Sequence, residues 1–165
     1  MAWPRTLRHA ATTHRAASKR FAPDALARLQ TAISEGEKTH RGEVRLIVEA
    51  ALPLRKIRRG MSTRQRAIDL FGTFRVWDTE ENNGVLLYVN VADRKVELIA
   101  DRAASRAVPD ATWQRICVAL QDAFKRGEFE AGTAAGIAAI HVELAAHFPA
   151  NGNKANALPD APVML

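Results

Sequence analysis

The chain has 165 residues, 47% of them hydrophobic, with one cysteine and a formal net charge of +6. That length suits a single domain with a real core, and a lone cysteine excludes an intramolecular disulfide and a cysteine-cluster zinc site, so a reducing cytoplasm is the expected location. The charge is uneven: residues 1–66 carry 15 Lys and Arg against 5 acids, whereas residues 67–165 carry 9 against 13.

Residues 1–21 scatter Arg5, Arg8, Arg15, Lys19 and Arg20 and lack the uninterrupted apolar core of a secretory signal, so they read as a basic arm ahead of a domain over 22–148. From Pro23 to His40, Ala25, Leu26, Leu29, Ala32 and Ile33 fall on one helical face, with Asp24 in the first turn. Gly42 breaks that pattern, and EVRLIVEA (43–50) alternates as a strand that Pro53 ends. PLRKIRRGMSTRQR then reads as a basic loop. Its Arg55, Lys56, Arg58 and Arg59 form a candidate anion- or partner-binding surface, the plainer alternative being a solvated loop.

Ser62 and Gln65 make a capping box for a helix with Ala67, Ile68, Leu70, Phe71 and Phe74 inward. GVLLYVNV (84–91) has the near-continuous apolar character of a central strand, ADRK turns around Asp93, and KVELIA returns as the second strand of a hairpin. Asp110 and Thr112 are candidate caps for a helix with Trp113, Ile116, Cys117, Leu120 and Phe124 on its buried stripe, stopped at Gly127. A last helix runs from about Glu128 to His147. The tail over 149–165 reads as extended, with fraying expected at its terminal Val-Met-Leu and docking as the alternative. This order predicts a three-layer α/β/α sandwich around a small mixed sheet that includes the hairpin pair. The longest weakly polar run, Ala131 to Ile140, is half a membrane span.

Chemistry is sparse. Cys117 lies on an apolar helix face, the five histidines show no metal-ligand spacing and most are expected at the surface, and no nucleophile elbow or phosphate-cradling Gly-rich loop occurs. Trp3, Trp77 and Trp113 are too scattered for a stacking platform, so nucleic acid is a disfavoured partner. WDTEENNG (77–84) resembles a calcium loop whose glycine comes one place late, and fails as a lone motif. Hairpin pairing, however, puts Asp78, Asn82 and Asn83 on one rim with Asp101, and Asp110 follows closely in the chain. Those five are the candidate ligands for a hard cation such as calcium or magnesium. Turn and cap chemistry explains each of them locally as well. Asp93, on the opposite rim, sits where open sheets place ligands, and the choice between rims stays open.

NNGVLLYVNVADRKVELIADR (82–102), followed by VPDATW and GEFEAGTAAGI, resembles the TPM domain family, named for a thylakoid-lumen protein, a photosystem assembly protein and a nematode receptor modulator. The resemblance covers roughly Ala22 to Phe148 and implies an α/β/α sandwich. It also implies acid phosphatase activity with calcium binding as an expectation, Asp78 and Asp110 being the matching candidate catalytic residues. Within the family the chain looks like a short bacterial group without signal peptide or membrane span, which implies a LemA-type membrane protein as a partner and a place near the inner face of the membrane. One departure stands out: RAASRAVPD (102–110) replaces a Gly-Leu-Glu-Gly turn, removing an acidic ligand and a flexible loop.

Overall fold

Every residue of β1 (Glu43–Glu49) and β2 (Gly84–Asn90) is buried, which requires cover on both faces of the sheet. The computed structural model describes residues 4–165, so Trp3 lies outside the described residues. In chain order the elements are α1 (Arg5–Ala11), α2 (His14–Arg20), α3 (Pro23–Glu37), β1, α4 (Leu54–Arg58), α5 (Thr63–Thr73), β2, β3 (Lys95–Ala100), α6 (Arg102–Ala107), α7 (Asp110–Lys125), α8 (Phe129–His147) and β4 (Val163–Met164). The four strands are ordered β3-β2-β1-β4. β1 runs parallel to β2 and β4, and β2 pairs antiparallel with β3 in the expected hairpin, Val85 opposite Ala100.

Strand alternation sorts the apolar residues into two cores. Val44, Leu46, Val48, Val85, Leu87 and Val89 face the larger one, filled by Leu29 and Ile33 of α3, Trp113 and Leu120 of α7, and Ile137, Ile140 and Leu144 of α8. Ile47, Leu86, Tyr88 and Ile99 face the smaller one, covered by Ala67 and Leu70 of α5 and by Leu158 of the tail. The result is the three-layer α/β/α arrangement expected, with the Ser62–Gln65 capping box formed at the start of α5.

Several local expectations are corrected. Residues 5–20 form two helices, and Ala17 and Phe21 enter the large core rather than trailing as an arm. Five residues of the basic loop form α4, because Ile57 gives it a buried anchor. RAASRA forms α6, capped by Asp101, in place of a loop. Ile68 points to solvent. Pro109, not Asp110 or Thr112, holds the N-cap position of α7; Asp110 is its first helical residue and acts through the helix dipole.

The tail docks rather than frays. Val163 and Met164 pair with Ile47 and Val48, Leu165 N–H donates to the Val48 carbonyl at 2.8 Å, and Arg45 donates to the carbonyls of Pro159 and Ala161. Lys154 lies between two buried carboxylates, 2.8 Å from Glu37 and 3.1 Å from Glu43. Glu43 and Arg45 of β1 thus face the tail, not water.

Candidate functional site

The hairpin brings Asn82, Asn83 and Asp101 to one rim, where the Asp101 N–H donates to the Gly84 carbonyl at 2.8 Å. Asn82 takes a left-handed backbone, φ 53°, the conformation Asn tolerates best after Gly. Its Oδ1 accepts from Arg102 Nη2 at 2.7 Å. Asn83 is buried, receives nothing charged, and donates from Nδ2 to the Arg41 carbonyl at 3.2 Å. Asp101 Oδ1 accepts the Arg102 N–H at 2.7 Å as the α6 cap, while Oδ2 is buried without a hydrogen-bond partner.

The other two candidates are placed differently. Asp78 is half exposed and held by Arg75 Nη2 at 2.6 Å. Asp110 is exposed and lines a cleft between β3 and α7 with Ser105, Trp113 and Cys117, a lining that includes none of the other four. Among the described residues no three Asp, Glu, His or Cys side chains converge on a common point as metal ligands. Burial pushes the Cys117 thiol up to about 11, so it stays protonated and unreactive.

The opposite rim carries a polar network that composition and motif did not announce. Glu49, at the end of β1, receives a two-pronged ion pair from Arg66 and a 2.6 Å hydrogen bond from the Tyr88 hydroxyl. Asn90 donates to that hydroxyl at 2.9 Å and accepts the Asp93 N–H at 2.8 Å. Asp93 in turn is gripped by Arg5 at 2.7 Å and by His9 Nε2 at 3.0 Å, and the other ring nitrogen of His9 accepts the Leu52 N–H. Burial pulls the Asp93 carboxyl upward, but the hydrogen bonds from Arg5 and His9 outweigh it and hold the group below the usual range. The signal for this site was polar residues ending otherwise apolar strands, Glu49 and Asn90.

The basic segment also resolves residue by residue. Lys56 is turned toward Asp69, at 3.9 Å. Arg55, Arg58 and Arg59 are exposed and, among the described residues, form no ion pair or side-chain hydrogen bond. α1 packs against α4, and each leaves a leucine in solvent: Leu7 is 54% exposed and Leu54 40%. Among the described residues no helix is long and apolar enough to cross a membrane.

A small mixed sheet covered on both faces, with a hairpin whose polar entry abuts a capping aspartate, defines an α/β domain. The chain belongs to the TPM domain family, whose model matches residues 17–143. It is similar over 86% of its length to protein BA42 of the psychrophilic bacterium Bizionia argentinensis, at 28% identity and a TM-score of 0.76, covering 93% of that chain. The N-terminal domain of a P. gingivalis protein shares the fold at 17% identity and a TM-score of 0.61, over 79% of this chain and 82% of that one. No functionally curated protein is similar to the chain.

Proposed function

We propose that this TPM-domain protein is an accessory binding module at the anionic inner face of a membrane, working from the cytoplasm with its α1–α4 face as the contact. One observation carries the proposal: Arg55, Arg58 and Arg59 stand unpaired in solvent among the described residues, next to the exposed Leu54 and on a helix packed against the one bearing Leu7. Peripheral binding needs both ingredients, cations to approach anionic head groups and apolar side chains to enter the interface. Each cation near the surface contributes about 1 kcal/mol, so three arginines account for roughly a hundredfold in affinity. A LemA-type membrane protein, implied by the family resemblance, would meet the module at the same surface.

Flotation with vesicles tests this. Binding is expected to vesicles rich in phosphatidylglycerol, to weaken with added salt, and to fall by about 100-fold in R55Q/R58Q/R59Q. Equal binding to neutral phosphatidylcholine, or a triple variant that binds as well as the parent, would remove the proposal.

A second reading is favoured by the orphaned Oδ2 of Asp101. A hard cation such as calcium or magnesium would draw on Asp101, Asn82 and Asn83, with Arg102 as the resident competitor. Calcium titration followed by NMR should move the Asp101 and Asn83 signals at millimolar metal; silence there would sink it. A metal-assisted phosphatase is the enzymatic form of this reading. It predicts phosphomonoester turnover that disappears in Asp101→Ala, while Asp78→Ala and Asp110→Ala, which lie apart from that rim, leave it in place.

A further inference from the structure

Three arginines from separate elements, Arg8 of α1, Arg20 of α2 and Arg94 of the β2–β3 turn, line one cavity of about 430 Å³ beside Thr12 and Ala92. Asp93 is the one carboxylate in its lining, and both its oxygens are already engaged: Arg5 and His9 hold it at 2.7 and 3.0 Å, while Arg8 approaches only to 3.4 Å. Arg8 Nε is buried and donates to nothing. Arg20 makes a 3.4 Å contact with the Ala16 carbonyl and lies over the Phe129 ring at 5.2 Å, and Arg94 has no ion pair or side-chain hydrogen bond among the described residues. The cavity therefore concentrates positive charge whose hydrogen-bonding capacity is largely unspent.

Its place in the fold adds an independent argument. The cavity opens at the carboxyl end of β2, a strand parallel to β1, the side on which open α/β sheets hold ligands. Neighbouring backbone groups are already used, the Ala92 N–H on the Ala50 carbonyl and the Arg94 N–H on the Val91 carbonyl, and the Thr12 hydroxyl donates to Arg8. Recognition then falls to the guanidinium groups, whose planar forks match phosphate oxygens better than any other side chain. The volume exceeds what a bare phosphate fills and lies within the range of small-ligand pockets.

We propose that this cavity binds a phosphate monoester group, contributed by a small phosphorylated metabolite or by a phospholipid head group. The site uses none of Arg55, Arg58 or Arg59, so it stands or falls apart from the membrane-facing surface. Titration of the full chain with inorganic phosphate, glycerol 3-phosphate and dihexanoyl phosphatidate, followed through arginine Nε–Hε and backbone signals, tests it. Saturable shifts are expected at Arg8, Arg20, Arg94 and Ala92, with about fivefold weaker binding in R20Q and again in R94Q. R15Q/K19Q and R55Q/R58Q/R59Q should bind glycerol 3-phosphate as the parent does. Tighter binding of the phosphatidate than of glycerol 3-phosphate upholds the site with a lipid source, and equal binding upholds it with a soluble ester. Shifts that do not saturate, or an R20Q/R94Q protein with parental backbone signals and parental affinity, overturn it.

Discussion

His40 Nε2 lies 2.7 Å from His141 Nδ1, joining the entry of β1 to the middle of α8 inside the protein. Burial, together with each ring's charged surroundings, holds His40 down to about 3 and His141 to about 4, so the pair is neutral, one ring donating and the other accepting. Both folded-state values lie below the ordinary 6.5. The stabilisation is therefore complete above pH 6.5 and is lost as the pH falls toward 4 and then 3. Urea midpoints measured at pH 7 and pH 5 are expected to fall more steeply in the parent than in His141→Gln, which removes one titrating ring. Parallel slopes would contradict the neutral buried pair.

Glu37 contributes with the opposite sign. Burial raises its carboxyl to about 7; the Lys154 hydrogen bond pulls it back, and the nearby Glu43 pushes it further up. Its stabilisation is fully present below the unfolded value near 4.5 and is lost as the pH rises through 7. Against Glu37→Gln, the parent should lose on the order of 2–3 kcal/mol between pH 5 and pH 8, measured as the difference in unfolding free energy. A pH-independent difference would show that Lys154 keeps Glu37 ionised throughout.

Much of this architecture is legible from periodicity, because the large core is built by residues that repeat at helix or strand spacing. α3, α5, β1, the β2–β3 hairpin, α7 and α8 all announce themselves that way. α1, α2, α4 and α6 do not: each has five to seven residues and a single buried anchor, too few to set up a period. The hidden partner of β1 was equally silent. Its Glu43, Arg45 and Glu49 alternate as a solvent-facing strand would, but Lys154, the Pro159 carbonyl and Arg66 meet them from distant sequence. Of the cation candidates, the three joined by the hairpin register meet at one rim, since register follows from the turn. The sequence proximity of Asp110 carried no such constraint, and α6 stands between it and Asp101.

Arg102 defines what a cation would have to displace. Its guanidinium donates to Asn82 Oδ1 at 2.7 Å and lies 3.9 Å from Asp101 Oδ1, yet the side chain is 75% exposed and free to swing away. Removing it should free Asn82 Oδ1 and take one positive charge from the rim, while Asp101 Oδ1 keeps the backbone N–H of residue 102. Arg102→Ala is expected to bind calcium about fivefold more tightly than the parent by calorimetry, the scale of one partly exposed charge contact. Weaker or unchanged affinity would place any bound cation elsewhere. Asp101→Ala should in addition lose about 1 kcal/mol of stability, the usual value of a helix cap.

Asp93 fastens the N-terminal helices to the sheet. Its buried carboxylate joins Arg5, His9 and the more distant Arg8 to a turn that Asn90 holds through the Asp93 N–H. Beyond this carboxylate, α1 is held by packing on α4, by Arg5 on the Met61 carbonyl at 2.7 Å and by His9 on the Leu52 N–H at 2.8 Å. Substitution by Ala leaves a buried imidazole and a half-buried guanidinium without their acceptor, a change that typically removes about 3 kcal/mol. Because Arg5 is 31% exposed and recovers part of its hydration, a loss of about 2 kcal/mol is expected in chemical denaturation. Limited proteolysis should cut first between residues 5 and 20 in Asp93→Ala, while the parent resists there. Asp93→Asn, which keeps one acceptor oxygen for His9, should fall between the two; if Asp93→Ala matches the parent in both measurements, α4 packing and the core contacts of Ala17 and Phe21 suffice to hold the helices.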